Sequence, residues 1–391
     1  MCARPYGLYV TLLTAPPHDM HMKNSSWPLS LSLTYGLLTG CGGSPLAIVP
    51  HSAVGLPAAT RGTPIGRPAI RSHVGLWVSV PSTNQLLGLS RSGRQTIATI
   101  DTSVNGCYSP TGVKVDGKQN VFVACNADYS CQYASNACEG LIEAYAPGST
   151  SPSATYPDYH SEYCGKHNNC WTYASSNDVA LDSRGHVFAA NLTVTSCYAG
   201  VKAIIECGTA GGGYSWWHVG GSQSAHINVP NYYDEYFYYL DVDAAGNLYI
   251  DGAPYFGTGP SQVYEVTNPT RASWAITAIV PPTSDRLGGV YVSNAGTVLN
   301  VVDETSRTIS QYALPWVASE TPFKVLGPTL QQTGRGQPIS GGFDRNEKHL
   351  ALADADGWID FGVIANNTWT TAGKKNLGSG AFGAAYAPSD K

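Results

Sequence analysis

Charge is scarce in this 391-residue chain: Asp, Glu, Lys and Arg make up 13% of it, the formal net charge is −5, and there is no long run of Lys or Arg. That leaves no electrostatic footprint for nucleic acid, which is set aside as a partner. After the N-terminal region no apolar run is long enough to span a bilayer. No Gly-x-Ser-x-Gly elbow occurs, and Gly211-Gly212-Gly213 lacks the Lys-Ser/Thr that completes a phosphate-binding loop. What the chain has in quantity is 43 Gly, 25 Pro and 24 Tyr. That composition predicts an all-β protein with many tight turns, in a chain long enough for one large domain or two ordinary ones.

The N-terminus reads as an address. Lys23 precedes the Pro-interrupted segment Trp27 to Leu38, and Leu38-Thr39-Gly40-Cys41 matches the lipobox of bacterial lipoprotein signal peptides, in which the Cys is acylated and becomes the new N-terminus. A start at Met20 or Met22 gives a signal of ordinary length. The expected organisation is a signal peptide over 1–41, a flexible tether rich in Gly, Pro, Ala and Ser over 42–72, and a folded domain over 73–391. The expected location is periplasmic or cell-surface, with membrane contact only through the lipid on Cys41, and the expected state is a monomer.

Cysteine usage agrees with export. Apart from Cys2 and Cys41, eight remain: Cys107, Cys125, Cys131, Cys138, Cys164, Cys170, Cys197 and Cys207. An even number within one third of an exported chain predicts disulfides. Short-range pairs, Cys131 with Cys138, Cys164 with Cys170 and Cys197 with Cys207, are the simplest pairing. A metal site built from His160, Cys164, His167 and Cys170 is the competing reading, because the spacing suits zinc.

A repeat organises the rest. Its copies begin at Gly112 (GVKVDGKQNVFVACN), Asp178 (DVALDSRGHVFAANL), Leu240 (LDVDAAGNLYIDGAP), Gly289 (GVYVSNAGTVLNVVDE) and Gly342 (GFDRNEKHLALADADG), with turn residues Asp116, Asp182, Asp243, Ser293 and Asp344 at separations of 66, 61, 50 and 51 residues. Each copy reads as a hairpin: two apolar runs flank a turn whose Asp bonds nearby backbone N–H groups and whose Gly tolerates positive φ. Further strand-like runs follow each copy, including Leu141 to Tyr145, Ala203 to Glu206, Gln262 to Val266, Thr308 to Leu314 and Trp358 to Ile364. Four short strands per unit is the blade of a β-propeller. Ala381 to Pro388 resembles a first strand with nothing after it, and Gly75 to Ile100 offers three strands with nothing before them. Joined, they make a sixth blade. The expected fold is therefore an all-β, six-bladed propeller whose ring is closed by the C-terminal strand pairing with N-terminal ones.

The pattern GVxVDxxGNxYVA resembles the NHL-repeat family and the senescence-marker-protein/gluconolactonase group, both six-bladed propellers, over roughly residues 75 to 391. Leu141 to Tyr156 also resembles blade ends of bacterial repeat lipoproteins. The gluconolactonase likeness implies a divalent cation, calcium or zinc, at the channel mouth, held by a Glu, two Asn and an Asp and polarising a lactone carbonyl. Asn177-Asp178-Val179-Ala180-Leu181-Asp182 matches the family's Asn-Asp-x-x-x-Asp, which makes Asn177 the candidate metal ligand. The corresponding positions in the other blades are Thr111, Tyr238, Gly288, Ile339 and Gly383, and no Glu occurs between Val74 and Ile100. Asp178, Asp241 and Asp251 are read either as replacement oxygen ligands or as turn and interblade hydrogen-bonders.

A second candidate site lies where the repeat spacing stretches. Tyr232, Tyr233, Asp234, Glu235 and Tyr238 put rings beside carboxylates, a combination suited to a sugar or peptide ligand. Tyr214-Ser215-Trp216-Trp217-His218 supplies either more of that surface or alternate rings packed between blades. His218 and His226 near Ser222 and Ser224 make a thin hydrolase template, and Asn191-Leu192-Thr193 and Asn366-Asn367-Thr368 match glycosylation sequons. The sequence favours an exported, lipid-anchored, non-catalytic binding module for a protein or glycan. The alternative is a cation-dependent lactonase or hydrolase with a rebuilt site.

Overall fold

A computed structural model of the chain describes residues 74–126, 140–157, 168–199, 203–205, 210–218, 223–228, 235–254, 261–278, 287–293, 295–303, 306, 308–315, 322, 324–326, 338–344, 346–354, 356–365, 368–378 and 380–387. The expected signal peptide, Cys41, and the tether lie outside the described residues. Among those described, no helix is long and apolar enough to cross a membrane.

Strands β1 (Leu76–Val80), β2 (Gln85–Leu89) and β3 (Thr96–Asp101) come first. The second blade is β4 (Pro110–Val115), β5 (Val121–Cys125), β6 (Leu141–Tyr145) and β7 (Ala154–Pro157). The third is β8 (Asn168–Leu181), β9 (His186–Ala199), β10 (Ala203–Ile205), β11 (Ala210–His218) and β12 (Gln223–Asn228). The fourth is β13 (Glu235–Val242), β14 (Leu248–Pro254), β15 (Gln262–Thr267) and β16 (Ala275–Ala278). The fifth is β17 (Leu287–Val292), β18 (Val298–Asp303), β19 (Thr308–Ala313) and β20 (Lys324–Leu326). The sixth is β21 (Pro338–Phe343), β22 (His349–Asp354), β23 (Trp358–Ala365) and β24 (Thr368–Asn376). Last comes β25 (Ala384–Tyr386), which pairs with β1, Leu76 opposite Tyr386 and Val78 opposite Ala384. The first blade is thus β25-β1-β2-β3, and six sheets complete the ring.

The turns form as their chemistry dictates. In the third blade the Asp182 carboxylate accepts from the Arg184 and His186 amides at 2.9 and 2.8 Å and contacts His186 Nδ1 at 2.6 Å, while Gly185 sits at φ 86°. Asp116 and Asp243 repeat the arrangement with Asn120 and Asn247, and Asp344 repeats it with His349. Ser293 does it with a hydroxyl, accepting from Thr297 and Val298. These side chains satisfy amides that the hairpin leaves free.

Core packing lies between blades. Successive strand residues point to opposite faces, so Val179 and Val187 pack with Phe122, Ile142 and Tyr156 of the second blade, while Ala180 and Phe188 pack with Leu240, Ile250 and Tyr264 of the fourth. Both faces of each sheet are covered, which is why the inner strands read as unbroken apolar runs rather than alternating ones.

The third blade departs from expectation. A blade of four short strands has one third strand, for which Ala203 to Glu206 is the strand-like run after this hairpin. Instead β10 faces Cys197–Ala199 and β11 faces His186–Val194, so the third strand comes in two pieces along β9. The aromatic run Tyr214 to His218 therefore belongs inside a blade. Trp217 is fully buried against the second blade, and Trp216 turns to the fourth, so alternate rings pack in the two interblade cores.

Candidate functional site

The inner strands β25, β4, β8, β13, β17 and β21 surround the channel, and their turn ends line a cavity of about 380 Å³. Its polar centre is Lys114. The Lys114 Nζ lies 3.0 Å from Asp241 Oδ1 and 5.7 Å from the centre of the Tyr291 ring, linking the second, fourth and fifth blades. Asp241 Oδ2 accepts from the Val292 amide at 2.9 Å. The Tyr291 hydroxyl bonds Ser340 Oγ at 3.2 Å and accepts from the Gly341 amide, which adds the sixth blade. Asp178 is 4% exposed and receives the Val179 and Leu240 amides at 2.8 and 3.1 Å. Burial pushes its carboxyl up to about 7, against the opposing pull of Lys114 and the two amides.

At the other end of the inner strands, Asn177 is buried at 5% exposure. The equivalent Thr111 donates to Ser176 O and Ala124 O at 3.2 Å, and its own carbonyl accepts from Ser79 Oγ, so three blades are stitched together here. Asp251 Oδ1 accepts from the Tyr239 amide at 2.6 Å and the Tyr238 amide at 3.3 Å. The Tyr239 ring of the fourth blade stacks on Phe382 of the first, centroids 5.8 Å apart. Asp178, Asp241 and Asp251 are therefore hydrogen-bonders to backbone, two of them between blades. Four-ligand binding of a hard cation needs several oxygens aimed at one point. Among the described residues, the group of His, Cys, Asp or Glu ligand atoms that lies close enough together to hold a metal is Cys107, Cys125 and Glu143, which is not at Asn177. The carboxylates read as replacement ligands are bonded to backbone, which does not fit the cation that the gluconolactonase likeness implies.

Of the aromatic site, Tyr232, Tyr233 and Asp234 lie outside the described residues. Glu235 begins β13 opposite Pro254, and Tyr238 is half-buried with its ring 6.2 Å from that of Tyr239. His218 packs its ring 4.7 Å from His186 at the far end of β11, and Asn191 is fully buried, which takes its sequon out of reach of a glycan.

Cys107 and Cys125 form a disulfide, Cα to Cα 5.2 Å. Their sulfurs lie within 4.8 Å of the Glu143 carboxylate, but a disulfide has no thiolate to offer a metal. Cys131, Cys138, Cys164 and Cys207, together with His160 and His167 of the candidate zinc set, lie outside the described residues. Cys170 stands directly opposite Cys197 in the β8–β9 register, a pairing that short-range spacing did not suggest.

Two features were not singled out from the sequence. Lys114 was passed over because its partner is 127 positions away and no spacing rule joins them. Arg91, Arg94 and Lys375 line one cavity of about 720 Å³ from opposite ends of the chain, and only ring closure brings them together.

The chain is a six-bladed β-propeller with a polar plug in its channel. No family model matches the sequence, and no curated protein matches it. Among solved structures it is similar to a nidogen/laminin complex (11% identity, TM-score 0.49, 81% of this chain and 99% of that one). It is also similar to a periplasmic gluconolactonase of Pseudomonas aeruginosa (12%, TM-score 0.48, 78% and 83%) and to a calcium-binding regucalcin of Agrobacterium tumefaciens (12%, TM-score 0.46, 71% and 77%). At those scores the likenesses carry no functional weight, and the fold rests on the six sheets themselves.

Proposed function

We propose that this protein is a non-catalytic binding module, exported and held at the cell envelope by a lipid on Cys41, that takes a protein or glycan ligand on its propeller. The observation that carries the reading is the state of the channel carboxylates. Asp178, Asp241 and Asp251 each accept backbone amides, Lys114 pairs with Asp241 at the cavity, and the two other carboxylates lining it, Asp182 and Asp243, are engaged in their own turns. Groups fixed in that way hold the ring together and have little freedom to gather a cation or pass a proton. The cavity at the turn mouth, by contrast, mixes rings, hydroxyls and charges in the way of ligand pockets.

The test is a binding screen of the mature chain against glycans and envelope proteins, run beside lactone hydrolysis with calcium or zinc. Saturable binding without turnover supports the module. Metal-dependent lactone turnover that disappears in Asn177→Ala would replace it with the enzyme. Palmitate labelling that survives Cys41→Ala would remove the anchor.

A further inference from the structure

The seam where the ring closes carries a site of its own. The cavity of about 720 Å³ lies between the sixth blade and the first, walled by the β2–β3 turn on one side and by β22 to β24 on the other. Among its described lining residues there is no carboxylate. Arg91 and Arg94 stand on the first-blade wall. On the sixth-blade wall, strand alternation puts His349, Phe361, Val363 and Lys375 toward the first blade: Phe361 joins the core around Leu76 and Leu89, and Lys375 Nζ reaches Thr96 Oγ1 at 3.0 Å. Lys374 is one position out of phase, and its ammonium lies instead over the Trp358 ring, 5.1 Å from the centroid.

One carboxylate stands behind this wall. Asp344, 1% exposed, takes Arg91 Nη2 and His349 Nδ1 on the same oxygen, each at 2.8 Å. Burial alone would raise its carboxyl, but His349, Arg91 and two backbone amides overcome that and hold it below its ordinary value. Asp344 thus stays ionised and fixes Arg91, whose guanidinium also lies 5.9 Å from the Tyr386 ring centre. Arg94 has no ion pair or hydrogen bond among the described residues. Three permanent cations face one carboxylate, so the groove carries excess positive charge on a chain whose formal net charge is −5.

The turn that presents the arginines is held in place. Gly93 has φ +70°, and a Cβ there would come 1.8 Å from Phe361 Cζ, so the turn lies directly on that ring. A guanidinium fixed in this way binds carboxylate or sulfate with little ordering cost. The cations stand on two facing walls rather than around one point, which suits several anionic groups in series better than a single phosphate.

We propose that this seam binds an acidic oligosaccharide, its carboxylates or sulfates held by Arg91, Arg94 and Lys375. The proposal rests on the binding-module reading and names a ligand class and a place for it.

The test is calorimetric titration of the mature chain with trigalacturonate and a sulfated disaccharide, beside neutral maltotriose and inorganic phosphate. An acidic sugar is expected to bind, to weaken as salt rises from 50 to 300 mM by about tenfold, and to lose about tenfold in each of Arg94→Gln and Lys375→Gln with Tm unchanged. Arg271→Gln, on the fourth blade, is expected to bind as the parent does. Equal affinity for maltotriose, or binding indifferent to both seam variants, overturns the proposal. Phosphate binding as tightly as the acidic sugars overturns the saccharide as occupant. If the acidic sugars fail while another glycan or a protein binds, this site falls and the module stands; if nothing in the wider screen binds, the module falls with it.

Discussion

Lys114 and Asp241 meet inside the channel, Nζ to Oδ1 3.0 Å, although they stand on the inner strands of the second and fourth blades and the third lies between them. Adjacent blades are already joined by apolar cores. This pair ties blades that share no core, and its lysine also faces the buried Asp178 of the blade it spans.

Lys114→Met keeps most of the stem and removes the charge. Asp241, 15% exposed at the side chain, then loses its counter-ion. The expected loss is about 1–3 kcal/mol, between the values for exposed and fully buried pairs. Chemical denaturation at pH 7.5 and again at pH 5 checks it. The loss should shrink at the lower pH, because Asp178 is then neutral and no longer needs the cation.

Burial raises the Glu143 carboxyl to about 7 despite the bond from Tyr145. A carboxyl whose folded pKa lies above its unfolded one binds more protons when folded. The stability it contributes is full below about pH 4.5 and is lost as pH rises through about 7. Asp178 and Asp360, raised to about 7 and about 6 by burial, act in the same sense. Glu143→Gln keeps an acceptor for Tyr145 without the charge. It should leave Tm unchanged near pH 4.5 and raise stability by roughly 1–3 kcal/mol at pH 8. An equal Tm change at both pH values would show that Glu143 is not the titrating group.

Deleting residues 381–391 removes β25 and Phe382. The first blade is left with three strands and the ring with an open inner edge. The expected result is loss of the cooperative thermal transition, or a fall in Tm of about 10 °C or more. An unaltered melting curve would mean that the ring does not depend on its closure.

Residues directly opposite in an antiparallel pair have Cα atoms about 4.5–5.5 Å apart, within reach of a disulfide. Cys170 and Cys197 hold that position. Peptide mapping without reductant is expected to recover a Cys170–Cys197 cross-link beside Cys107–Cys125. Recovery of Cys170 bound to Cys164 would overturn this pairing.

Much of the propeller is legible in the sequence because its determinants are local. The turn Asp, replaced by Ser293 in the fifth blade, and the apolar runs beside it recur at the inner hairpins of blades two to six, and both halves of the shared blade can be recognised from runs of a few residues. Tyr214 to His218 leaves two readings open for a physical reason, of which interblade packing is the one found: a strand apolar on both faces and preceded by three glycines has neither the alternation of a half-buried strand nor the polarity of a loop. The site was harder to see. The Asn177 motif is local and therefore conspicuous, yet metal binding depends on what the other five blades bring to the same point. The Lys114–Asp241 pair and the cationic seam depend on which blades the ring sets face to face. No pattern along the chain encodes that.

The C-terminal strand has a consequence for how the protein is made. β1 leaves the ribosome early, and its inner partner follows roughly 300 residues later. At about 5–20 residues per second that is on the order of 15–60 s during which β1 offers a bare edge to any passing strand. Blades two to six can assemble in the meantime, but the circle cannot shut. Until β25 arrives the chain is a string of joined sheets whose first inner edge has no partner strand.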